Sequence, residues 1–136
     1  MILLIIYWLI RLSLGGVIVA AGIGKFLDVK GFVGVIDTYK FNLPRPVAWI
    51  IAVLVSAFEL SLGIWILSGY QLYWAAIASI FMHAGYAVLL TITLARGIKL
   101  NNCGCFGVFL ARPLRWFTPL EDVALIIVSY VLLKLI

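Results

Sequence analysis

Along the chain, apolar residues run in four long blocks, separated by short stretches where charge, proline and glycine collect. A helix needs about 20 largely apolar residues to cross the hydrocarbon core of a bilayer. The pattern therefore predicts an all-α membrane protein with four spans, over residues 2–26, 46–68, 72–95 and about 119–136, forming one integral membrane domain over 1–136. Leu43-Pro44-Arg45-Pro46 places prolines where a helix start tolerates them. Ser68-Gly69-Tyr70-Gln71 is a turn that suits only an antiparallel neighbour, so spans two and three should form a hairpin. The last span is the shortest, near the lower limit for crossing.

Between spans one and two, Val29, Phe32, Val33, Ile36 and Tyr39 recur at helical spacing while Lys30, Asp37 and Lys40 fall elsewhere. This predicts a short helix lying in the interface plane. On span one, Gly16, Ala20 and Gly24 repeat every four residues, the small-residue pattern that lets helix backbones approach closely in lipid. It leaves two destinations open, another helix of the same chain or a homodimer seam.

Composition agrees with a lipid solvent: 66% of the 136 residues are hydrophobic and 11% charged, with a mean hydropathy of +1.25, against about 25% charged in soluble domains. The first block carries Arg11 and lacks a basic lead-in and an A-x-A site, so it reads as a retained span rather than a signal peptide. The net charge of +5 is small and dispersed, which implies no nucleic-acid partner. Its role is orientation instead. Lys25, Lys30, Lys40, Arg45, Arg96, Lys99, Arg112 and Arg115 fall on one side of the membrane and Lys134 near the other, which puts the 96–120 loop in the cytoplasm and both termini outside.

Three ionisable residues interrupt the apolar blocks. If all spans begin at one level, Arg11, Glu59 and His83 lie roughly 15, 14 and 17 Å deep, in one layer near the bilayer middle. An Arg11–Glu59 pair with His83 beside it would offset an insertion cost of about 2.5–3.5 kcal/mol per charge. Such a layer suits either a polar clasp between helices or a site for a proton or a quinone carbonyl. Glu121 and Asp122 open the last span, where acidic residues favour the helix N-terminus.

The 96–120 loop holds both cysteines in Cys103-Gly104-Cys105-Phe106-Gly107. Its apolar residues Val108, Phe109, Leu110, Leu114, Trp116 and Phe117 suggest a lid folded over the bundle rather than a solvated linker. Gly104 and Gly107 permit the positive φ that a tight turn requires. Arg96, Lys99, Arg112 and Arg115 bracket the thiols with positive charge that favours thiolate. The pair suits thiol–disulfide exchange, and also soft-metal capture, although two thiolates are an incomplete zinc site.

Arg11-x3-Gly15, Ala21-Gly22-Ile23-x-Lys25 with Asp28, Tyr39 ahead of Leu43-Pro44, Glu59 with Gly63, Arg96-Gly97, Cys103-Gly104-Cys105-Phe106-Gly107 and Asp122 together resemble the MauE/DoxX-like membrane proteins. The resemblance runs over nearly the whole chain. It implies a four-helix membrane protein that forms or rearranges disulfides in exported proteins, linked to quinone in DoxX-type relatives. Cys103 and Cys105 would then be catalytic, exchanging with a thioredoxin-like or exported client protein, and Arg11, Glu59 and His83 would bind the cofactor. The design is similar to the vitamin K epoxide reductase family, which uses CxxC and further loop cysteines lacking here. Disulfide formation for export wants the thiols outside, opposite to the charge count. Two other classes stand beside this reading: a carrier for a soft metal cation, and an assembly subunit without catalysis.

Overall fold

The computed structural model describes residues 1–106 and 112–136. Gly107 and the apolar residues Val108, Phe109 and Leu110 of the expected lid lie outside the described residues. The described chain is all helical: α1 (Ile2–Leu27), α2 (Val29–Asp37), α3 (Arg45–Ser68), α4 (Leu72–Ala95) and α5 (Phe117–Leu135). Three of these, α1, α3 and α4, are long and apolar enough to cross a membrane.

Local chemistry sets the boundaries. Asp28 ends α1 and caps α2, its carboxylate accepting from the Gly31 N–H at 2.9 Å. Pro44 and Pro46 open α3, and Gly69 closes it in the left-handed region at φ +76°, where glycine carries no Cβ penalty. At α5 the expectation of acidic capping is not met. Glu121 and Asp122 sit beyond the first turn; Glu121 instead receives both Arg112 guanidinium nitrogens, one at 2.6 Å, and Asp122 is buried.

Helix α1 packs antiparallel along α3, and α4 along α5. Helices α3 and α4, adjacent through the Gly69–Gln71 turn, touch much less, so the expected hairpin is present in connectivity while the two helices serve as partners in different pairs. Two glycines make the α1–α3 seam. A Cβ on Gly22 would lie 2.7 Å from the Leu60 backbone nitrogen, and one on Gly63 would lie 2.7 Å from the Val19 nitrogen. The small-residue face expected at Gly16, Ala20 and Gly24 is therefore rotated: Gly16 has nothing within 4 Å and Ala20 is exposed. Only Gly24 of the three is buried, against the Phe106 carbonyl.

The pairings Arg11 to Ile66, Gly22 to Leu60 and Lys25 to Glu59 show that α1 is shifted along α3 by roughly ten residues, or about 15 Å at 1.5 Å per residue. The stretch of α3 left uncovered is taken by α2. The apolar face of α2 is therefore spent on protein, with Phe32, Val33 and Val35 buried, rather than on the lipid interface. Two apolar cores result. One holds Leu14, Ile18, Leu62, Ile66, Ala76 and Leu132; the other holds Phe32, Val33, Tyr39, Ala52, Leu90 and Cys103.

Candidate functional site: a dithiol above a charged layer

Between the two cores each long helix contributes polar residues at one level: Lys25 from α1, Glu59 from α3, His83 and Tyr86 from α4, and Asp122 from α5. A layer of this kind was legible in the sequence, but its membership changes. Lys25, not Arg11, is the partner of Glu59: its ammonium lies 2.7 Å from each carboxylate oxygen, with side-chain exposures of 4% and 1%. Tyr86 donates its hydroxyl to the same carboxylate. Arg11 is occupied elsewhere. Its guanidinium donates to the carbonyls of Ile66 at 3.0 Å and Leu67 at 2.5 Å and lies over the Trp8 ring, at the C-terminal end of α3, where positive charge is favoured. The assumption that failed is that all spans start at one level; the shift of α1 moves Arg11 toward one end and brings Lys25 into the layer.

The third hydrogen of the Lys25 ammonium goes to the Cys105 carbonyl at 2.8 Å. Lys25 thus ties the charged layer to the cysteine turn. The turn is held on every side. Cys103 N–H donates to the Arg112 carbonyl at 2.8 Å and Leu114 N–H to the Leu100 carbonyl at 3.0 Å, closing the base of the segment. Tyr39 donates its hydroxyl to the Cys103 carbonyl; burial pushes that phenol up, so it stays a donor at neutral pH. Gly104 adopts φ +81°, and a Cβ there would sit 2.8 Å from a methyl of Val35, so the expected glycine requirement at this position is met. The turn is folded into the end of the bundle against α2.

Both cysteines are free thiols, with sulfurs 2.6 Å apart. The hydrogen bond from Cys105 lowers the Cys103 thiol to about 6. The same bond, with burial, pushes the Cys105 thiol up. The two thiols are therefore unequal, Cys103 being the more acidic. Cys103 is 4% exposed, while Cys105 is partly exposed. Arg112, one of the expected bracketing cations, contributes to lowering Cys103, as does Lys25. Arg96 is turned away, donating to the carbonyls of Tyr39 at 3.2 Å and Lys40 at 3.1 Å.

A cavity of about 640 Å³ lies under the turn and is lined by both cysteines, Lys25, Glu59, His83 and Asp122, with aliphatic and aromatic walls from all five helices. Its size is that of a site for a small organic molecule. Arg11 is not among its walls. Sequence reasoning missed Lys25 as a layer member, and also Tyr86, because Lys25 was counted as a surface charge and a tyrosine in an apolar block carries no charge signal. The available clue was that Lys25 precedes the helix-capping Asp28 by less than a turn, too early to reach the surface freely once α2 folds back.

The fold and site define a helical membrane protein that carries a dithiol at the mouth of a cavity with a charged floor. The family described as "Methylamine utilisation protein MauE" matches residues 3–135, and the chain belongs to it. It is similar to the "Methylamine utilization protein MauE" of Paracoccus denitrificans, 27% identical over 120 residues, covering 88% of this chain and 64% of the relative. The chain thus spans somewhat under two thirds of the length of that curated relative. No solved structure matches it.

Proposed function

We propose that this protein is a membrane thiol–disulfide oxidoreductase serving disulfide maturation, with Cys103 and Cys105 as its exchanging pair and a quinone in the cavity as electron acceptor. In this reading α5 is the fourth span, and the activity belongs to methylamine utilisation, as the name of the relative suggests. The observation that carries it is the free pair Cys103 and Cys105, sulfurs 2.6 Å apart, at the wall of a cavity of about 640 Å³.

The residues fit the cofactor class. The walls are largely apolar, matching a ring and its tail, and His83 supplies one of the few polar groups that such sites use for orientation. When bound, a quinone accepts two electrons and two protons. The pair supplies both electrons as the Cys103–Cys105 bond closes, Cys105 supplies one proton, and solvent supplies the second, Cys103 being already a thiolate. Partner exchange follows from exposure and leaving-group quality. A client thiolate attacks Cys105, the more accessible sulfur, and Cys103 departs as the better leaving group because its pKa is low. The client's second thiol then displaces Cys105, so the client is oxidised to a disulfide and the Cys103/Cys105 dithiol returns.

The test is trapping. Offered a thioredoxin-like or client protein in its disulfide form, Cys103→Ser should accumulate a mixed disulfide at Cys105, one client sulfur leaving as thiol with no second cysteine to resolve the bond, whereas Cys105→Ser should accumulate none. Trapping by Cys105→Ser alone would reverse the order of attack, equal trapping would remove it, and absence of any mixed disulfide with wild-type thiols remaining reduced beside added quinone would sink the assignment.

A further inference from the structure

The polar groups of the cavity are not equally available to a ligand. Lys25 uses its ammonium hydrogens on both Glu59 oxygens and the Cys105 carbonyl, and the Tyr86 hydroxyl hydrogen goes to Glu59. His83 differs. Its Nδ1 lies 2.9 Å from the Ser79 carbonyl oxygen and 3.3 Å from Ser79 Oγ. A carbonyl only accepts, so Nδ1 carries the ring hydrogen. The neighbouring hydroxyls agree with this assignment. Ser129 Oγ donates to the Leu125 carbonyl at 2.8 Å, so the 2.8 Å contact between Ser79 and Ser129 takes the Ser79 hydrogen, leaving Ser79 Oγ as an acceptor toward Nδ1. The neutral ring is left with a lone pair on Nε2. No described residue bonds to that nitrogen, although His83 is only 4% exposed and forms part of the cavity wall.

We infer that His83 is the specificity-determining residue of the cavity, accepting through Nε2 a hydrogen bond from a ligand hydroxyl, so that the site favours the hydroquinone form over the quinone. The inference rests on the quinone reading above and gives it a direction. A quinone carbonyl at Nε2 would set acceptor against acceptor, and a site built to pair with a hydroxyl rejects an analogue lacking it. Tighter binding of the reduced form raises the potential of the bound couple, by about 30 mV for each tenfold preference. That shift draws electrons from the dithiol. The balance is closed: the Cys103 thiolate and the Cys105 thiol lose two electrons and one proton as their S–S bond forms, one ligand oxygen receives that proton and the other a proton from solvent, and His83 keeps its own.

Binding alone tests this without thiol chemistry. In the Cys103→Ser/Cys105→Ser chain, purified in detergent under argon, a short-chain hydroquinone and its quinone are titrated separately by calorimetry. The hydroquinone should bind about tenfold tighter or more, and His83→Phe should bring the ratio to within about threefold of unity. His83→Gln, which restores a polar group without a fixed acceptor, should fall between and guards against a misfolded Phe variant. Equal affinities, tighter quinone binding, or a ratio unchanged in both His83 variants would overturn the assignment while leaving a quinone site intact. Failure of both redox forms to bind would overturn the quinone reading itself.

Discussion

Replacing Lys25 by Met removes one partner of an ion pair whose side chains are 4% and 1% exposed, leaving the Glu59 carboxylate with Tyr86 as its remaining partner. Stranding one member of a buried pair costs about 3–5 kcal/mol, and a charge at mid-helix in a membrane costs about 2.5–3.5 kcal/mol on insertion scales. The two routes agree on about 3 kcal/mol or more, roughly a hundredfold in the folded fraction. The Cys105 carbonyl also loses its donor, adding about 1 kcal/mol or more for an unmet acceptor. Glu59→Gln should cost a similar amount, since it strands the ammonium but keeps an acceptor for Tyr86. The double variant Lys25→Met/Glu59→Gln contains no stranded charge, so its cost should fall below the sum by about 2 kcal/mol or more, leaving mainly the Cys105 term. Reversible unfolding in mixed micelles measures all four species. Additivity within about 0.5 kcal/mol would mean that the two side chains do not share an energetic interaction, and the charged layer would lose its organising role.

Three further outcomes follow from the same geometry. The alkylation rate of Cys103 should titrate with a midpoint near 6, thiolate prevailing above it and the rate falling about tenfold per pH unit below it; Cys105→Ala removes the hydrogen-bond donor and should move the midpoint up toward the ordinary thiol range, and a wild-type midpoint above 8 or an unmoved one in the variant would contradict the assignment. Gly22→Ala should destabilise the α1–α3 seam, its Cβ meeting the Leu60 backbone, whereas Gly16→Ala, with open space around it, should be neutral or stabilising by up to about 1 kcal/mol; thermal unfolding in detergent ranks the two, and equal effects would misplace the seam. With exposed Lys30, Lys40, Arg45, Arg96, Lys99 and Arg115 at the cysteine end, a membrane-impermeant maleimide should reach the thiols of intact cells only after permeabilisation; labelling without it would put the cysteine end outside, with exported clients.

What the sequence made legible follows the range of each physical signal. Block length and hydropathy placed α1, α3 and α4 within a residue of their observed ends, because crossing a membrane constrains length and composition together. The existence of α2 was legible from spacing. Its partner was not, because the apolar face of a short helix has the same pattern whether lipid or protein covers it. Glu59 and His83 announced themselves as polar groups in apolar blocks, and both line the cavity. The pairing of Glu59 was not legible, because depth along a helix becomes a shared coordinate only once the axial shift between helices is known. Gly22 and Gly63 fix that shift, and their roles depend on which face of each helix meets the other. Cys103 and Cys105 were singled out by spacing alone, but the inequality of the two thiols comes first from their contact with each other, with Arg112 adding to it from a separate segment, and that geometry is not written in the spacing.

The same axial shift explains how a short chain brings a dithiol to a buried charge. If α1 and α3 began level, Lys25 would sit near the membrane surface and Glu59 would be left at depth with only Tyr86. Shifted by about 15 Å, α1 ends near the middle of α3, so the polypeptide must cover the remaining length of α3 some other way. Helix α2 does this, and its buried Phe32 and Val35 give the Cys103-Gly104-Cys105 turn a surface to sit on. The turn is thereby lowered until a backbone carbonyl meets the end of a lysine that already holds Glu59. The cavity and the thiol pair are then two consequences of one packing decision, taken where Gly22 and Gly63 let the helix backbones close. Any change that resets that seam should move the sulfurs relative to the cavity, even though neither glycine touches them.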